Sequence, residues 1–242
     1  MLFRSKGQSD LVEVCTKTLP GSVNAAGPDQ VDPGEFDLVC LAMQEPQYRF
    51  PAVRELLERV AKSGTPAMSI MNMPPLAYLR RIPELDTRAL EGCYTDASAW
   101  SGFDNSNIIL CSPDPQAFRP PGEPINVLQV TLPTNFKSAE FEADAHNQIL
   151  RALARDVEEA RFESDSGPVQ LPVKLKVHGS VFVPLAKWAM LLTGNYRCIQ
   201  QGTARAIREA VHSDLDTSRT IYDAVKALCV ELGAEDRKST RL

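Results

Sequence analysis

Three side chains stand where they could do chemistry on a small polar substrate. Lys187 lies inside the apolar run Val181 to Leu192, and Asn195 follows it eight residues later, about two helical turns on. A lysine in such a run commonly snorkels its ammonium to water. Held in an apolar setting instead, the same ammonium becomes a proton donor for an oxygen that gains charge. Asn72 ends the short apolar run Ala67 to Met71. Open α/β sheets present their ligand contacts at the C-terminal ends of buried strands. Met73, Pro74 and Pro75 after it would also make a tight turn, so an ordinary turn residue is an equal reading of Asn72.

No complete motif accompanies these residues. The chain contains no GxGxxG, P-loop, HExxH or GxSxG pattern. His146, His178 and His212 fall on separate elements without ligand spacing, so none receives a metal or catalytic role. The six cysteines form no CxxC pair, and several, such as Cys40 within Leu38–Leu41, sit in apolar runs that suit buried, reduced thiols. That usage predicts a reducing, cytoplasmic setting.

The elements that must position the three residues alternate in the first half. Phe36–Ala42 is a continuous apolar run of strand length, as in a sheet buried on both faces. Pro51 opens a helix carrying Val53, Leu56, Leu57 and Val60 at helical spacing, and Gly64 stops it. With the strand Ala67–Met71 this makes a βαβ unit and a parallel sheet. Further short strands are expected at 11–15, 92–95, 107–111 and 126–131, a helix from Ser138 to about Arg155, and a strand near 157–162. Residues 164–168 read as a linker. Beyond them only helices are expected: from Val173 or Phe182 to Leu192, from 203 to 211, and from 218 to 232. The predicted architecture is thus α/β, a parallel-sheet domain followed by an all-helical one, with the boundary near Gly167.

Composition narrows the function classes. Of 242 residues 43% are hydrophobic, and no stretch reaches the roughly 18 uninterrupted apolar residues of a membrane span; Pro184 and Lys187 break the best candidate. The formal charge is −5, with no basic stripe to suggest nucleic acid. Residues 1–5 and 236–242 resemble translated sequencing adapters, which predicts non-native ends on an internal piece of a longer gene.

In this order, the Phe36–Ala42 strand, the helix after it, the strand ending in Asn72, the linker and the Lys187-to-Asn195 spacing resemble the ketopantoate reductase (2-dehydropantoate 2-reductase) family. The likeness spans roughly residues 8–235. It implies an incomplete NADP-binding Rossmann-type domain over 6–166 and a truncated helical substrate and dimerisation domain over 167–235. It further implies NADPH-dependent reduction of 2-dehydropantoate to pantoate, a step of pantothenate biosynthesis, and it admits a homodimer. Lys187 would be the general acid, Asn195 a substrate contact, and Asn72 a contact to nicotinamide and substrate. Gln44 takes the place of a cofactor-contacting lysine. Met73 and Pro75 stand where the family has glycines, and Leu191 where it commonly has an asparagine. Two alternatives stay open: a reductase of another 2-oxo acid or ketone, and a non-catalytic binding protein on the same scaffold. By the glycine pattern, the 242-residue chain itself is expected neither to bind NADPH usefully nor to reduce a ketone.

Overall fold

The computed structural model describes residues 2–5, 11–13, 26–112, 117–118, 122, 127–130, 134–164, 167–171, 173–203 and 205–234. Its strands are β1 (Leu2–Ser5), β2 (Leu11–Glu13), β3 (Val39–Leu41), β4 (Ala67–Ile70), β5 (Ile108–Ser112), β6 (Ala117–Phe118), β7 (Val127–Val130), β8 (Thr134–Ala139), β9 (Arg161–Ser164), β10 (Gly167–Gln170) and β11 (Val173–His178). The α-helices are α1 (Pro51–Ser63), α2 (Leu76–Leu79), α3 (Asp144–Glu159), α4 (Lys187–Met190), α5 (Ile207–His212) and α6 (Leu215–Glu231). The fold is mixed α/β around a five-stranded, mostly parallel sheet ordered β11-β8-β5-β4-β3.

The expected βαβ unit is present. Pro51 starts α1, where its missing N–H costs nothing, and Gly64 ends it at φ 71, a left-handed conformation that glycine adopts without a Cβ clash. Leu57 and Val60 are buried beneath the helix, and the chain returns as β4, parallel to β3. β4 then pairs in parallel with β5, whose five residues are all buried, as befits the centre of a sheet covered on both sides. Trp100 fills the core beside α1, with its ring centroid 5.0 Å from that of Tyr48.

Several expectations are corrected. The 92–95 strand is instead part of a 3₁₀ segment, Thr87–Cys93, capped by Asp86, whose side chain accepts from the Arg88 N–H. Ser138 does not cap a helix but lies fully buried in β8; the helix begins only at Asp144. β8 runs antiparallel to β5, so the sheet is not wholly parallel. The connection between them carries strands of a second sheet rather than a crossover helix, which a parallel neighbour would usually need. The strand expected near 157–162 is β9, and it pairs with β10 across the predicted linker instead of returning to the main sheet. Past Gly167 the chain is not all helical, because Val173–His178 is β11, paired in parallel with β8. Cys40 is exposed, not buried, and lies on β3, the edge strand of the main sheet among the described residues. Cys15 and residues 235–242 lie outside the described residues. Among the described residues no helix is long and apolar enough to cross a membrane.

One buried polar side chain holds the turn from β8 into α3. Asn147, 5% exposed, accepts from the Phe141 N–H at 2.8 Å and donates to the Phe141 carbonyl at 3.0 Å. Asn147→Ala would orphan both backbone groups, each costing about 1–3 kcal/mol when buried. The expected result is a loss of about 2–4 kcal/mol in urea unfolding. A change of less than about 0.5 kcal/mol would show that water reaches the turn.

Candidate functional site

The C-terminal ends of the parallel strands β3, β4 and β5 lie on one side of the sheet. From there β3 leads into Gln44, β4 into Asn72, and β5 ends at Cys111 and Ser112. Gln44 is exposed and occupied locally: its own N–H donates to Gln47 Oε1 at 2.8 Å, and it caps the 3₁₀ turn Glu45–Arg49. Asn72 is exposed, after the fully buried Met71 and before the buried Pro74 and Pro75. Tyr94 clamps this turn by donating its buried hydroxyl to the Pro74 carbonyl.

Lys187 reaches the same region from the far end of the sequence. Tyr78, buried in α2, donates its hydroxyl to the Val181 carbonyl, and Leu185 is sunk into the core at 7% exposure. These two anchors fix the chain entering α4. Trp188 then donates its indole N–H to the Asn72 carbonyl at 3.4 Å, a long bond that nonetheless sets α4 against the turn after β4. Lys187 is half-buried next to it. Its charge is felt at Cys111: burial pushes that thiol up to about 12, Cys40 adds to the rise, and the Lys187 ammonium pulls the other way.

The structure thus brings Asn72, Trp188, Lys187 and Cys111 together, with Gln44 at the end of the neighbouring strand. Asn195 stands further off. α4 passes at Leu191 into a π-helix, Leu191–Asn195, and Asn195 is exposed at its end. Residues eight apart on an unbroken α-helix lie about 80° round from one another. The wider π turn advances less per residue and swings Asn195 back toward the azimuth of Lys187; single π turns of this kind are frequent at functional sites. Gly194 in that turn is buried against α5, where an added Cβ would meet Ile207 Cγ2 at 3.2 Å.

Two members of the group were not singled out in the sequence. Trp188 carried a usable signal, being one of only two tryptophans and adjacent to Lys187. Cys111 carried none beyond its place at the end of an apolar run. A cleft of about 550 Å³ lined by Asp29, Asp32, Arg59 and Lys62, and a smaller apolar one between β3 and α1, include none of Asn72, Lys187 or Asn195. The candidate site is an open surface at the strand ends, not either of these clefts.

A dinucleotide would need a glycine turn that lets backbone N–H groups approach its pyrophosphate. β3 exits into Ala42, Met43 and Gln44, and β4 into Met71, Asn72 and Met73. Among the described glycines Gly179 directly follows a strand of the main sheet, β11, but Val181 and Pro184 stand where a GxGxxG turn would have its second and third glycines. The residues described do not hold the phosphate end of such a cofactor. Comparison with protein-family models finds no match, and neither does comparison with curated proteins.

Proposed function

We propose that this chain forms the substrate side of a 2-oxo acid reductase of the ketopantoate reductase type, acting on 2-dehydropantoate. The observation that carries this reading is the Trp188–Asn72 contact, because it sets Lys187 beside the C-terminal ends of β4 and β5. In this reading Lys187 gives its ammonium proton to the carbonyl oxygen as that oxygen takes up charge. Asn195 hydrogen-bonds the substrate, and Asn72 lines the turn against which it rests. NADPH is the reductant that the resemblance implies, and a Rossmann-type arrangement of the sheet is part of the same proposal. The pyrophosphate of NADPH has no glycine cradle among the described residues, so its binding is expected to depend on groups other than these. Met73 and Leu191, where the family differs, favour the second reading, a reductase of another 2-oxo acid or ketone.

Trp188 supplies the test. In a Trp100→Phe background it is the remaining tryptophan, so its fluorescence reports on the site. Titration with 2-dehydropantoate and with smaller 2-oxo acids is expected to give a saturable change that Lys187→Ala weakens at least about tenfold, the scale of one lost charge-assisted hydrogen bond. No saturable response to any 2-oxo acid would refute the reading.

A further inference from the structure

The main sheet carries a second group of charges on the face opposite Cys111. Alternation along β11 turns Lys174, Lys176 and His178 to one face and Val173, Leu175 and Val177 to the other. Leu175 and Val177 pack into the core, as does Phe136 of β8. Register then sets Lys176 directly beside Lys137, Lys174 beside Asn135 and His178 beside Ala139. Cys111 is paired with Ser138, which points to the other face from Lys137.

Lys174 is neutralised by Glu158, with Nζ and Oε1 3.3 Å apart. Lys137 and Lys176 have no ion pair among the described residues. Like charges side by side on neighbouring strands destabilise a sheet. Among the described residues no ion pair offsets this repulsion, in a chain whose net charge is −5.

A buried nitrogen atom without a hydrogen-bond partner, His178 Nε2, adjoins this pair on β11. Arg81, whose side chain is 8% exposed, donates from Nη2 to the Glu140 carbonyl at 2.9 Å. Glu140 in turn donates its N–H to the His178 carbonyl at 2.9 Å, which ties the end of β8 to the end of β11. Arg81 Nε and Nη1 and His178 Nε2 are buried without a hydrogen bond. The nearest carboxylate to Arg81 is that of Glu142, 3.6 Å from Nε and 60% exposed.

We propose that this face of β8 and β11 binds an oxyanion of the phosphate class, held between Lys137 and Lys176 with His178 alongside. A dianion neutralises both ammonium groups at once, and lysine binds phosphate as a point charge without fixed geometry. Desolvation and the two lysines hold the His178 imidazole below its usual range, so the field of the pair reaches that ring. Lys137 and Lys176 are on the opposite face of the sheet from Cys111, and the site does not depend on the reductase reading.

The test is a titration of the whole chain with inorganic phosphate, followed by the ring resonances of His178 and the backbone amides of β8 and β11. A parallel arm uses a phosphomonoester, and a third uses sodium chloride at matched ionic strength. Saturable shifts with phosphate, absent with chloride, are expected, and the Lys137→Gln, Lys176→Gln double variant should weaken them at least tenfold. A stronger response to the phosphomonoester identifies the natural ligand as a phosphorylated compound; equal responses identify free phosphate. Lys176→Glu, which turns a repulsive pair into an attractive one, should raise the melting temperature while abolishing the shifts. Shifts that follow ionic strength alone, or that persist in the double variant, would overturn the site.

Discussion

Lys187→Ala is expected to lower turnover of 2-dehydropantoate about 100- to 10,000-fold, the usual contribution of a positioned general acid. The measurement needs this chain joined to a glycine turn able to hold the NADPH pyrophosphate. A carbonyl oxygen that receives electrons without a proton becomes an alkoxide, and a nearby ammonium removes that cost as it arises. NADPH affinity should change less than twofold, because Lys187 is assigned to the reacting oxygen. Lys187→Arg separates a proton donor from a mere positive charge. Guanidinium stays protonated at any working pH, so the arginine variant should bind substrate yet remain nearly as slow as the alanine variant. Equal turnover in all three proteins would make Lys187 a snorkelling residue.

Trp100→Ala should be the most damaging core substitution. Trp100 is completely buried, packs edge-on against Tyr48 and meets Phe103 at a tilt, with centroids 6.1 Å apart. Removing an indole from such a site costs about 3–5 kcal/mol, lost burial and cavity together. That is a large part of the roughly 5–15 kcal/mol stability of an ordinary domain. Trp100→Phe should cost far less. It retains most of the aromatic surface and removes an indole N–H that is buried without a partner. Urea unfolding of the two variants decides it: a phenylalanine variant as unstable as the alanine one would mean that the indole N–H has a partner, such as buried water.

The βαβ unit was legible in the sequence because each of its signals is local. Pro51 and Gly64 mark helix ends through backbone constraints of single residues, and Leu56, Leu57 and Val60 repeat at helical spacing. α6 was equally readable, although its start lies at Leu215, where Asp214 accepts from the Thr217 N–H. β11 was misread despite a strict period-two pattern, Val-Lys-Leu-Lys-Val-His, because the linker signal just before it suggested a change of domain. Ser138 looked like a helix cap because serine favours caps, and only packing against β5 and β11 makes it a buried strand residue.

The residue types at the candidate site, and the position of Asn72 at a strand end, came from sequence alone. Their meeting did not. Lys187 lies more than a hundred residues from Asn72, and what joins them is Tyr78 holding Val181, Leu185 entering the core and Trp188 reaching the Asn72 carbonyl. The exposure of Cys40 is likewise a tertiary outcome. Its apolar neighbours predict burial, but among the described residues β3 is the edge strand of the main sheet and Cys40 is exposed on it. Local sequence determined which segments could be helix or strand, because backbone preference and periodicity act over a few residues. Strand order, the antiparallel turn at β8 and the pairing of Lys137 with Lys176 depend on which distant surfaces pack together, and tertiary structure decided them.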